Sequence, residues 1–155
     1  MNTDSIEAYW QRFLQTLPPD SPYHGKTYSE GGYGDSPELM NKLIQLVLEG
    51  KKTATCGSLW EWEAEGNPVP KVGDVWIDLD GNNIPVCITE TIEVTIRKYK
   101  DVDAEFARAE GEGDLSLEYW REAHRNSFSR TLPKIGKEFS QDMPLVCERF
   151  KLIYK

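Results

Sequence analysis

The chain predicts an α+β domain, on three observations: apolar residues at helical spacing near the start and after the middle, strict apolar alternation in two long stretches, and turn-forming residues between them. Ser5 to Leu17 reads as a helix, with Ile6, Tyr9 or Trp10, Phe13 and Leu17 on one side and Pro18-Pro19 ending it. Residues 20–35, rich in Gly, Pro, Ser, Asp and Tyr, read as a surface loop pinned by its aromatics. The loop is also long enough to cover a site with Tyr23, His24, Tyr28 and Tyr33. Ser36 caps a second helix and Pro37 suits its first position, because the missing N–H would have had no partner. Leu39, Leu43, Leu46 and Val47 recur at helical spacing, Ile44 and Leu48 widen the face, and Gly50 closes the last turn in the left-handed conformation.

The β-branched Thr53 and Thr55 favour an extended chain, with residues 52 and 54 pointing one way and 53 and 55 the other. A twist at the helix exit would bring Lys52 and Thr55 together. The same strand is read as carrying Trp60 and Trp62, alternating with Glu61 and Glu63. Val75, Ile77 and Leu79 then alternate with Trp76, Asp78 and Asp80, and Gly81-Asn82-Asn83 supplies a turn. In the next strand Ile84, Val86, Ile88, Ile92, Val94 and Ile96 share one parity, with Glu90 on their face. Helical signals return at Asp103 to Ala109 and from a Ser116 cap through Leu117, Trp120, Ala123, His124 and Phe128. The last strand places Glu148 among Val146, Phe150, Leu152 and Tyr154. A lone buried carboxylate is costly, so Glu90 and Glu148 should each meet a cation, a bulge or an opening.

At 155 residues and 17.8 kDa the chain has the size of one domain, 1–155, with residues 1–35 packing on the rest as a helix and a long loop. Its 18 Lys plus Arg against 26 Asp plus Glu give a formal net charge of -8, which opposes sequence-independent binding to a long polyanion. A local basic pocket remains compatible with that charge. Cys56, Cys87 and Cys147 are odd in number and lack ligand spacing, so no zinc site, disulfide framework or cofactor is indicated. No stretch approaches the ~20 apolar residues of a membrane span, and the protein is expected in the cytoplasm.

The chemistry concentrates at Glu49 to Ser58, EGKKTATCGS. Spacing alone says only that Lys51 and Lys52 complement the helix C-terminus and that the threonines begin a strand. With Gly50, Lys52 and Thr55, however, the segment resembles the Gly-x-Lys-x-x-Thr signature of the ASCH superfamily. The resemblance continues through PKVGD at Pro70 to Asp74, EFARAEGEGDLSLEYWREAH at Glu105 to His124 and VCERF at Val146 to Phe150. It implies a small mixed β-barrel related to the PUA fold, flanked by helices.

The resemblance also implies an amidohydrolase that removes the acyl group of N4-acetylcytidine with a lysine, a threonine and a glutamate. Carried over, these are Lys52, Thr55 and Glu112, with Glu110 the alternative acid in AEGEGD. Gly111 and Gly113 allow the tight backbone path that presents such a carboxylate. A lysine can act as the threonine's base if burial or a nearby cation lowers its pKa, with Glu112 carrying the proton to the leaving amine; in the alternative Glu112 activates water and Lys52 stabilises the oxyanion, and the sequence leaves both open. Trp60 and Trp62 are candidate platforms for a base, with Glu61 or Glu63 accepting from an exocyclic amine. The family includes longer members assigned metal-dependent ribonuclease activity, for which Arg121, His124, Ser127 and Lys52 would supply the groups. A noncatalytic RNA-binding module is the third reading. His124 taken alone reads as a structural histidine.

Overall fold

The computed structural model describes residues 3–155; Met1 and Asn2, part of the span read as one domain, lie outside the described residues. Its centre is a five-stranded sheet in the order β1-β3-β4-β5-β2. The strands are β1 Ser29–Gly31, β2 Ala54–Ser58, β3 Val75–Leu79, β4 Pro85–Lys98 and β5 Pro144–Tyr154. All pairs are antiparallel except β1 with β3, and the pairing leaves β1 and β2 as edges, so hydrogen bonds do not close the sheet into a ring. Five helices flank it: α1 Thr3–Gln15, α2 Pro37–Leu48, α3 Leu59–Glu65, α4 Ala104–Glu110 and α5 Leu117–Thr131. The α+β class is therefore observed, and among the described residues no helix is long and apolar enough to cross a membrane.

The alternation in β3 sends Val75, Ile77 and Leu79 into one core with Ile6, Tyr9, Trp10 and Phe13 of α1 and Ile88 of β4. Helix α2 packs Leu43, Ile44 and Val47 with Tyr33, Cys87 and Phe150. A third core joins Ala54, Leu145 and Cys147 to Phe106 and Ala107 of α4 and Trp120 and Phe128 of α5. The caps follow the sequence: Ser36, Asp103 and Ser116 each accept from a backbone N–H in the first turn of their helices, and Gly50 has φ +77°.

Three expectations are corrected. Residues 20–35 are not only a loop, since Ser29 to Gly31 pair in parallel with β3; the short Ser-Glu-Gly run carries no strand signal, and its neighbour supplies the register. The parity of β4 does not persist, because irregularities at Ile88/Thr89 and Thr91/Glu93 shift the register and leave Ile92 48% and Ile96 52% exposed. The strand after the motif stops at Ser58 and Trp60 to Glu63 lie on α3. Two residues apart on a helix turn through about 200°, so Trp60 and Trp62 diverge instead of sharing a face.

Candidate functional site

The site begins where α2 ends. The N–H groups of Lys51 and Lys52 both reach Leu46 O, wrapping the chain tightly around the helix C-terminus. Thr53 N donates to Ala109 O at 2.8 Å and ties this exit to the end of α4. Gly111 has φ +73°, and a Cβ there would lie 2.2 Å from Lys51 O, so only glycine lets the two main chains pass this closely. The crossing sets both Glu110 and Glu112 around Lys52.

Lys52 is 2% exposed. Its Nζ donates to Glu112 Oε2 at 2.9 Å, Ala54 O at 2.9 Å and Glu110 Oε1 at 3.1 Å. An ammonium has three protons, and here each has an acceptor. Burial pulls the pKa of Lys52 down, but the charges and hydrogen bonds of Glu110 and Glu112 reverse this and the net shift is upward. Lys52 is therefore held protonated.

Glu110 is 1% exposed and saturated with donors: Trp120 Nε1 at 2.6 Å, Cys56 Sγ at 3.3 Å and His124 Nε2 at 3.4 Å meet Oε2, opposite the Lys52 contact at Oε1. Burial would raise this carboxyl, yet the cations Lys52 and His124 and the hydrogen bonds lower its pKa overall. His124 stacks on Trp120 with centroids 4.2 Å apart and its Nδ1 meets Trp120 O at 2.9 Å. Burial lowers its pKa, but Glu110 outweighs that and the net shift is upward. Glu112 differs from Glu110 in that its side chain is 19% exposed and reaches solvent.

Cys56, Glu110 and His124 bring potential metal-ligand atoms within 4.8 Å of one another. The set does not fit a dication. Lys52 already neutralises Glu110 at 3.1 Å, and the opposite oxygen of the same carboxylate is taken up by the Trp120 indole at 2.6 Å, so the one carboxylate of the set is already engaged.

Beside this cluster is an open cleft of about 880 Å³. Its floor is the sheet face opposite α1, and Thr55, Trp76, Asp78, Thr89, Glu148 and Phe150 all line it. Register explains the grouping: Thr55 pairs with Glu148, Trp76 with Thr89 and Asp78 with Cys87. Trp62 and the segment from Gly25 to Tyr33 supply walls. The Tyr33 ring lines the cleft and its centroid lies 5.7 Å from Lys52 Nζ, so the ammonium stands behind one wall. The cleft's charged lining is Lys26 and Lys71 against Glu30, Glu65, Asp74, Asp78 and Glu148. It is acidic, as the whole chain is.

On the cleft floor, Asp78 and Glu148 have no cationic partner among the described residues. Asp78, 2% exposed, accepts from Thr89 Oγ1 at 2.8 Å and Tyr33 OH at 3.0 Å; burial raises it to about 6 against those bonds. Burial raises Glu148 to about 7, with the Thr91 hydrogen bond opposing and the Asp78 and Asp74 charges adding. Glu148 thus meets the opening expected for it. Glu90 meets cations instead, Lys26 at 3.8 Å and Lys151 at 3.9 Å, and accepts from Tyr23 OH.

The structure joins Lys52, Glu110 and Glu112, and it places Thr55 on the cleft floor, whereas none of those three is part of the cleft lining. Other residues read as contacts fall elsewhere. Trp60 packs on the α4/α5 core with Lys137 over its ring, while Trp62 is the one that lines the cleft. Glu61 accepts from Thr131 Oγ1 at 2.7 Å and Glu63 is exposed. Arg121 is exposed and lines a separate surface hollow with Tyr99, Arg125 and Phe139. Ser127 makes no side-chain hydrogen bond among the described residues and lines neither hollow. Sequence reasoning missed the cleft roles of Trp76 and Asp78, whose signal was their shared parity, opposite the apolar residues of β3.

No curated protein matches the chain. The family model for the ASCH domain matches residues 30–154. An ASCH domain from Lactobacillus crispatus is 33% identical with a TM-score of 0.91, the match covering 100% of this chain and 97% of that one. A protein from Enterococcus faecalis is 36% identical with a TM-score of 0.86, over 99% of this chain and 90% of its own. With the family match spanning most of its length, the chain belongs to the ASCH domain family.

Proposed function

We propose that the protein is a cytoplasmic amidohydrolase that removes the acyl group of an N4-acylated cytidine, of the N4-acetylcytidine type, giving cytidine and a carboxylic acid. The observation that carries this reading is Lys52, a buried ammonium 2.9 Å from the solvent-reaching carboxylate of Glu112 and directly behind the cleft wall. An acidic cleft with two tryptophans suits a nucleoside, which has an aromatic ring and no phosphate.

With its protons all engaged, Lys52 acts electrostatically and is not the base for Thr55. Glu112 takes a proton from water as the water oxygen attacks the acyl carbon, and Lys52 stabilises the oxyanion. The C–N4 bond then breaks and the proton passes from Glu112 to N4, so one water is consumed and Glu112 returns to its starting carboxylate. Thr55 holds the acyl group from the cleft floor through its hydroxyl.

The test is cytidine release from N4-acetylcytidine by the purified protein, followed by chromatography and mass spectrometry with and without chelator. Chelator-insensitive release that falls at least about a hundredfold in Lys52→Ala, Thr55→Ala and Glu112→Gln variants supports the assignment. An inert nucleoside together with chelator-sensitive RNA cleavage would replace it with a ribonuclease, and salt-dependent RNA binding without turnover would replace it with a binding module.

A further inference from the structure

Glu148 is a partly buried titratable group that this mechanism leaves unused. It sits on the cleft floor directly across β2/β5 from Thr55. A relay holds it: Trp76 Nε1 donates to Thr91 Oγ1 at 3.0 Å, and the Thr91 hydroxyl donates to Glu148 Oε2 at 3.1 Å. The relay has a direction. An indole N–H only donates, so the threonine oxygen accepts and its own proton goes to Glu148. Oε2 is thereby an acceptor, and Oε1, which has no protein donor among the described residues, is where a bound proton resides.

We propose that Glu148 determines specificity for the base, its Oε1–H donating to the ring N3 of a cytosine nucleoside in the cleft. This rests on the reading above for the substrate class. Cytosine N3 is an unprotonated acceptor, whereas uracil N3 carries a proton; one oxygen that can hold a proton separates them. The carboxyl is suited to holding it, since burial raises Glu148 to about 7. The charged groups around it are Asp74 and Asp78 on the floor side and Lys26, Glu30, Glu65 and Lys71 on the walls, so carboxylates outnumber cations and retain the proton.

The test is titration of the intact protein with cytidine and with uridine from pH 6 to 9, read by tryptophan fluorescence. Cytidine affinity should fall by roughly tenfold for each pH unit above the Glu148 titration, while uridine affinity rises. Glu148→Leu should weaken cytidine at pH 6 by at least tenfold. Glu148→Gln, whose amide N–H keeps a donor at every pH, should restore cytidine binding and flatten its profile, which a merely structural role would not do. Cytidine affinity that is unchanged in Glu148→Leu, or a sloping profile that persists in Glu148→Gln, overturns the assignment even if N4-acetylcytidine is hydrolysed. A profile that Glu148→Gln flattens, in a protein that does not hydrolyse N4-acetylcytidine, upholds Glu148 and overturns the hydrolase alone.

Discussion

Glu110 and Glu148 are carboxyl groups on either side of the same edge strand, one touching Cys56 and the other paired with Thr55, yet their environments drive them in opposite directions. Around Glu110 burial is overcome by an ammonium, an imidazole, an indole N–H and a thiol, and the carboxylate is held ionised. Around Glu148 burial meets one hydroxyl and two further acids, and the proton is retained. The lesson is that β2 divides a cluster in which a buried ammonium and two carboxylates are paired from a cleft floor where Glu148 has no cationic partner among the described residues. Glu112 and, on the other side, His124 connect the first to solvent, with side chains 19% and 15% exposed.

The comparison breaks most sharply at Lys52. Lys52→Met keeps the stem but strips Glu110 of its buried cation, and should destabilise the protein by about 3–5 kcal/mol in urea unfolding, since the cost of a buried charge without its partner then falls on Glu110. Gly111→Ala comes next. Its φ of +73° and the 2.2 Å approach to Lys51 O require the crossing chains to part, with an expected loss of about 1–3 kcal/mol and displacement of Glu112. A stability unchanged in either variant would remove the cluster as a structural unit. Glu112→Gln separates chemistry from folding: turnover should drop by about 10²–10⁴ while stability changes by about 1 kcal/mol or less, because this carboxyl is already partly in water.

The signs of the shifts give a pH test. Glu148 is raised above its unfolded value of 4.5, so the native state binds more protons between 4.5 and about 7 and stability falls as pH rises through that window. His124, also raised, contributes in the same sense: its stability is present below its unfolded value of 6.5 and is lost as pH rises through the folded pKa. Glu110 is lowered, so its contribution is present above 4.5 and is lost as pH falls. Urea midpoints should therefore drop on both sides of a mildly acidic optimum. Glu148→Gln should make the side toward neutral pH shallower, leaving the Asp78 and His124 contributions, and should leave the acid limb intact. The smallest effect belongs to Arg121→Ala, whose exposed side chain should cost less than about 0.5 kcal/mol and leave turnover unchanged.

Much of this was legible beforehand. The caps at Ser36 and Ser116, the close at Gly50 and the alternation of β3 follow from local rules that tertiary contacts did not override, while the meeting of Lys52 with the AEGEGD segment was implied by the family resemblance alone. Glu148 among apolar neighbours announced an opening. What was not legible depends on partners distant in sequence. A three-residue edge strand takes its register from β3, and the irregularity after Thr91 reverses the parity of β4 without any glycine or proline to mark it. The change from strand to helix at Leu59 moved Trp60 into the core and gave the cleft Trp62 instead. The cluster's depth was also hidden, because Trp120 and His124 read as a helix face until the fold laid them on Glu110.

The division between the two carboxyl environments is most directly read by carboxyl carbon-13 NMR across a pH titration of the folded protein. The account predicts that Glu148 titrates near 7 while Glu110 stays ionised to the lowest pH at which the fold survives. Both resonances moving together near the ordinary glutamate value of 4.5 would contradict it.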